Sequence, residues 1–212
     1  MRIAIIGAQN TGESTLVDSF IKQWPMYKRP AKTYRDIIKE KNLPLNKEGS
    51  KESQRAILDA LVDELQAVVA SEEEFTIFDR CPVDNIAYSL WHYAKDTPGF
   101  DKEFIVISQS IASLSLKMLD VIFYVPVRKE IPLVEREGRE CDTVYREEID
   151  NIYDALVSSY EKNTGAFFPL EDCPPVIRLE GPPDLRIPQI QMYIKETGKF
   201  YGEEDGSLIA DI

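Results

Sequence analysis

The chain has 212 residues, 43% of them hydrophobic and 29% charged, enough for one globular domain with a sizeable core, at most extended by a small lid. Its formal net charge of −12 at pH 7 repels nucleic-acid backbones and anionic membranes at long range, which disfavours DNA as a partner. The three cysteines, Cys81, Cys141 and Cys173, form no C-x-x-C pair, and no apolar run reaches a membrane span, so zinc sites, disulfide frameworks and membrane anchors are not indicated and a cytoplasmic protein with reduced thiols is expected.

Arg2 to Ile6 is a short β-branched run that ends at Gly7 and reads as a buried parallel strand. A glycine-rich loop follows, then a helix over Ser14 to Trp24 with Leu16, Val17, Phe20 and Ile21 on one face and Pro25 as its stop. Thr33 to Lys41 reads as a helical piece, and Ser50 to Ala70 as a stronger helix with Ile57, Leu61, Leu65 and Val68 at helical spacing. Phe75 to Phe78 is a second buried strand, closed by Asp79-Arg80, and Pro82 and Asp84 open the next helix. Phe104 to Met118 is helical, and Val121 to Val125 is a third strand.

Residues 128–147 are dense in both charges and read as a lid, after which helical spacing resumes at Ile149. Val176 to Leu179 is a fourth strand, Asp184 to Glu196 a final helix, and 199–212 an acidic tail. Strands alternating with helices predict an α/β, three-layer fold with a parallel sheet over residues 1–198, with ligands at the carboxyl ends of the strands.

The strongest motif is the loop Gly7-Ala8-Gln9-Asn10-Thr11-Gly12-Glu13-Ser14-Thr15. It has the spacing G-x-x-x-x-G-K-[ST], with strand before and helix after, which is the context of a phosphate-binding loop. Two glycines let successive N–H groups turn inward, and the helix N-terminus adds positive potential. Ser14 is placed to hold Mg²⁺, and Thr15 to sit near an α-phosphate.

Glu13 stands where the motif has lysine. At an effective dielectric of about 20, a carboxylate about 4 Å from a phosphate charge costs on the order of 4 kcal/mol. Three readings are open: an inactivating change, compensation by a lysine or arginine from elsewhere, and a metal-bridged carboxylate. The first is preferred. Asp79 at a strand end suits Mg²⁺ or an attacking hydroxyl, and Arg80 suits a phosphate. Arg136, Arg139 and Arg146 suit a lid that covers phosphates, against the plainer reading of a solvated, ion-paired helix. Tyr34, Arg35, Tyr88 and Trp91 are candidates for an acceptor pocket, and His92 reads as structural.

The segments IIGAQNTGEST, FDRCPVDNIAY and EGRECDTVYREEID, running from Ile5 to Asp150, resemble the P-loop nucleoside and nucleotide kinases of the ribosylnicotinamide-kinase-like ATPase branch. The D-R pair followed by D-x-x-A-Y also looks like thymidylate kinases, and similar small kinases occur in bacteriophages, some acting on 5-hydroxymethyluracil in DNA. The resemblance implies ATP on Gly7, Ala8, Gln9, Asn10, Thr11, Gly12, Ser14 and Thr15, with Mg²⁺ at Ser14 and Asp79. It implies magnesium, base or acceptor roles for Asp79 and Arg80, and places Arg136, Arg139 and Arg146 in the lid. The expected activity is phosphoryl transfer to a nucleoside or nucleotide, impaired by Glu13. The alternatives are a kinase of 5-hydroxymethyluracil in DNA and a non-catalytic nucleotide- or partner-binding protein.

Overall fold

A computed structural model describes residues 1–128 and 142–201. Four strands form one parallel sheet: β1 (Arg2–Ile6), β2 (Thr76–Asp79), β3 (Val121–Tyr124) and β4 (Val176–Arg178), in the spatial order β2-β1-β3-β4. The registers Ala4↔Phe78 and Ala4↔Ile122 hold β1 at the centre. Lys28 adds a single parallel bridge to Thr76 at the outer edge of β2.

The seven helices among the described residues are α1 (Glu13–Gln23), α2 (Tyr34–Lys41), α3 (Lys51–Ala70), α4 (Pro82–Ala94), α5 (Lys102–Ser115), α6 (Thr143–Glu161) and α7 (Arg186–Ile190). Side chains alternate across each strand, so one chain run feeds two cores. Ala4, Ile6, Phe78, Ile122 and Tyr124 pack with Leu58 and Leu65 of α3, Ile86 of α4, Ala112 of α5 and Ile149 and Tyr153 of α6. Ile3, Ile5, Ile77, Val121 and Phe123 pack on the other face with Leu16, Val17 and Phe20 of α1 and Ile190 of α7. The result is the three-layer α/β fold that the strand–helix alternation predicts.

Local sequence sets the helix starts. Ser50 caps α3 by accepting from Ser53 N–H at 3.1 Å, and Asp101 caps α5 by accepting from Phe104 N–H at 2.8 Å. Pro82 begins α4, where its missing N–H costs nothing.

Two stretches depart from expectation. The helix predicted to resume at Ile149 starts at Thr143, so the last residues assigned to the lid are its first turns. Asp142 accepts from Tyr145 N–H at 2.9 Å and pairs with Lys47, which fixes that earlier start. The predicted helix Asp184–Glu196 is a short 3-10 turn at Pro183–Leu185 followed by α7 alone. Beyond α7 tertiary donors capture the carbonyls: Trp24 Nε1 donates to Lys195 O at 2.8 Å and Tyr27 OH to Gly198 O at 2.6 Å. The chain turns there, and Ile194 pairs antiparallel with Phe200, inside the stretch read as tail.

Candidate functional site

The loop from Gly7 to Gly12 joins β1 to α1 at the carboxyl edge of the sheet. Gly7 has no room for a side chain, because a Cβ there would lie 2.7 Å from Val125 O. Gly12 adopts φ 92°, a left-handed conformation that glycine takes without strain, and caps α1. Thr11 Oγ1 donates to Ala8 O at 3.0 Å and closes the turn from inside. Gln9, Asn10, Gly12, Glu13, Ser14 and Thr15 face a cleft of about 460 Å³. Its opposite wall carries Tyr34 and Arg35 of α2, Gln54 of α3, and Arg80, Asn85 and Tyr88 at and within α4.

Asp79 at the end of β2 meets the start of α1. Ser14 Oγ donates to Asp79 Oδ2 at 2.7 Å, and Arg35 Nη2 donates to the same oxygen at 3.1 Å. Among the described residues the buried Asp79 Oδ1 has no hydrogen-bond partner. A buried acceptor left over beside a hydroxyl suits a hard cation that takes oxygen ligands. Among the described residues no group of three or more His, Cys, Asp or Glu side chains is placed to hold a metal ion. Mg²⁺ in nucleotide sites needs few protein ligands, since phosphates and waters fill the rest of its shell. The Ser14–Asp79 pair therefore fits Mg²⁺, and the buried Oδ1 is the observation that supports it.

The loop carboxylate does not turn out to solvent. Glu13 is buried, and its Oε1 accepts from Arg80 Nη2 at 3.1 Å. Arg80 Nη1 lies 3.4 Å from both Asp84 Oδ1 and Tyr88 OH. Burial raises the pKa of Glu13 and likewise that of Asp84, and the Arg80 charge opposes both rises. Burial works against the Arg80 charge, but Tyr88, Tyr34, Glu13 and Asp84 around it hold the guanidinium protonated. Burial also pushes the Tyr88 phenol up to about 12.

Asp84, which opens α4 and begins the D-x-x-A-Y run, is a hub. Its Oδ1 accepts from Tyr153 OH of α6 at 2.6 Å and from Gly7 N–H at 3.4 Å, and its Oδ2 from Cys81 N–H at 2.8 Å. Its position three residues into the cap of α4 was the available signal. Arg186 of α7 had none: its Nη1 donates to Thr11 O at 2.8 Å from across the fold, while its Nε is buried and unpartnered.

The structure thus brings together Glu13, Ser14, Asp79, Arg80 and the loop, with Tyr34, Arg35 and Tyr88 on the facing wall. Trp91 is not there; it donates to Glu148 Oε2 at 2.7 Å and packs edge-on to Tyr145 between α4 and α6. His92 stacks on Phe100 at 4.5 Å and its Nε2 bonds Asn46 O, in keeping with a structural role. Arg146 is buried in the first turns of α6, and its Nε has no partner among the described residues. Arg136 and Arg139 lie outside the described residues.

A family profile described as "AAA domain" matches residues 2–164. No curated protein sequence matches the chain. Among solved structures, a deoxyadenosine kinase from M. mycoides, with dCMP and dCDP bound, superposes with a TM-score of 0.63 at 20% identity, covering 91% of this chain and 97% of that one. A thymidylate kinase from Candida albicans gives 0.57 at 15% identity, covering 90% and 88%. NadR protein in complex with NR gives 0.58 at 15% identity, covering 87% of this chain but 45% of the NadR chain. At these identities the likeness speaks for the fold, and the profile match speaks for the family. The chain belongs to the AAA domain family and has the P-loop fold shared by deoxyadenosine kinase, NadR and thymidylate kinase.

Proposed function

We propose that this protein transfers a phosphoryl group from ATP, with Mg²⁺, to a nucleoside or nucleotide. The observation that carries the reading is the Ser14–Asp79 contact of 2.7 Å with the orphaned Asp79 Oδ1, set against a glycine-lined loop and a helix N-terminus. Backbone N–H groups of the loop and the N-terminal end of α1 hold phosphate oxygens. Ser14 and Asp79 hold Mg²⁺, which neutralises charge on the transferring group. Arg35 and Tyr34 sit where an acceptor approaches, with Arg35 already directed at Asp79. Tyr88 OH donates to Gln9 Oε1 at 2.9 Å and ties the acceptor wall to the loop. The acceptor class is supported by the kinds of protein that share the fold and by the aromatic and guanidinium groups of the facing wall.

The experiment is ATP-dependent phosphorylation of a panel of nucleosides and nucleotides in Mg²⁺. Transfer to at least one member, reduced about 10–100-fold in rate or Mg²⁺ affinity by Asp79→Asn, is the expected result. Glu13 favours a second reading, a protein that binds nucleotide without transferring phosphate. In that case ATP raises the melting temperature and no acceptor is labelled.

A further inference from the structure

The loop lacks a lysine, yet it does not lack a cation. Arg80 follows Asp79 with φ 94°, a left-handed conformation that side chains with a Cβ rarely adopt. That turn brings the guanidinium back over the loop, where Arg80 and Glu13 line the same cleft. Nη2 donates to Glu13 Oε1 at 3.1 Å, and Nη1 reaches Asp84 and Tyr88. A guanidinium has five N–H donors. These contacts use three, which leaves one on Nη2 and the one on Nε for an anion in the cleft. Of the other guanidiniums nearby, Arg35 is turned to Asp79, and Arg186, which gives Nη1 to the Thr11 carbonyl, is not among the residues that line this cleft.

We infer that Arg80 supplies the phosphate-directed cation that the loop itself lacks, and that Glu13 is the positioning residue that holds this guanidinium over the loop. The charges of the two positions are exchanged rather than deleted: the carboxylate sits on α1 and the cation comes from the end of β2. A lysine at position 13 would meet Arg80 as a like charge at the distance where the ion pair now stands. The inference rests on the phosphotransfer reading and goes further by naming the source of the missing charge.

The test measures ATP and ADP affinity in Mg²⁺ by titration calorimetry for wild type, Glu13→Ala, Glu13→Gln and Glu13→Lys, with a ligand-free melt of each to confirm folding. Glu13→Ala is expected to weaken ATP binding tenfold or more. Glu13→Gln keeps an acceptor for Arg80 Nη2 and is expected to recover most of that loss. Glu13→Lys is expected to bind no tighter than wild type. A tenfold gain in Glu13→Lys, or an unchanged Glu13→Ala, overturns the inference and leaves the phosphotransfer reading intact. Absence of nucleotide binding in the folded wild type and every variant overturns both. If Glu13→Lys does not fold, the Ala and Gln variants decide the matter.

Discussion

Arg80 serves two buried carboxylates at once, which makes its removal costly. Arg80→Ala leaves Glu13 and Asp84 buried without their cation, at a cost of about 3–5 kcal/mol near pH 7. For a chain of this size that lowers the melting temperature by on the order of 10 °C. Both carboxyls already have raised pKa values from burial, and losing Arg80 raises them further. The loss is therefore smaller at pH 5 than at pH 8, since a neutral carboxyl needs no cation; thermal melts at the two values check this. Glu64 offers a cleaner pH signature. Its carboxylate accepts from Tyr34 N–H at 3.0 Å, and burial raises its pKa from 4.5 to about 7. A carboxyl raised in the fold imposes no penalty below its unfolded pKa and a full one above its folded pKa. Stability is thus lost as pH rises from about 4.5 to about 7, by on the order of 3 kcal/mol. Glu64→Gln removes that loss, so its melting temperature should match wild type at pH 4.5 and exceed it at pH 8. At this scale the loop, Glu13, Ser14 and Asp79 were legible because they sit in one motif or at a strand end. The Glu13–Arg80 pair was not, because it depends on a left-handed φ at residue 80 and joins positions 67 residues apart.

Between elements, Asp84 ties the loop, α4 and α6 to one carboxylate. Tyr153→Phe removes the 2.6 Å bond from α6 and leaves the buried Asp84 carboxylate one donor short. The expected cost is about 1–3 kcal/mol, read as a lower denaturant midpoint with an unchanged m-value. Strand–helix alternation placed β1 to β4 and α1 to α5 to within a few residues, since each has a continuous apolar run or a helical stripe. The end of the chain resisted that logic. Residues 184–196 carry helix-compatible spacing, but Trp24 and Tyr27 take the carbonyls of Lys195 and Gly198, and tertiary hydrogen bonds turn the chain instead. α6 likewise begins six residues before its apolar stripe, because Asp142 caps it and Lys47 anchors the cap.

For the whole molecule, the proposed function calls for a small anionic ligand brought in with its own cation. The net charge is −12, Glu13 and Asp84 line the cleft with Arg80, and Asp79 pairs with Arg35. Bare nucleotide triphosphate is a poor match to such a surface, whereas its Mg²⁺ complex carries less charge. Affinity for ATP should therefore depend strongly on Mg²⁺, and duplex DNA should not be retained at physiological salt, as a gel-shift series across salt concentrations would show. No helix among the described residues is long and apolar enough to cross a membrane. The three-layer architecture was legible from the sequence, because β1 and β3 read as buried runs and their alternating faces divide two cores. The acceptor wall was legible only in pieces: Tyr34, Arg35 and Tyr88 face the cleft, Trp91 turns away to Glu148, and Gln54 and Asn85 complete the wall from helices whose packing no single segment encodes. The most direct test of the account is to incubate the protein and Mg²⁺ with a nucleoside and nucleotide panel, using ATP labelled at either the γ- or the α-phosphate. The account predicts label on an acceptor from γ-labelled ATP only, lost on chelating Mg²⁺ and depressed in Asp79→Asn. No transfer from either label, with no rise in melting temperature on adding Mg·ATP, would contradict it.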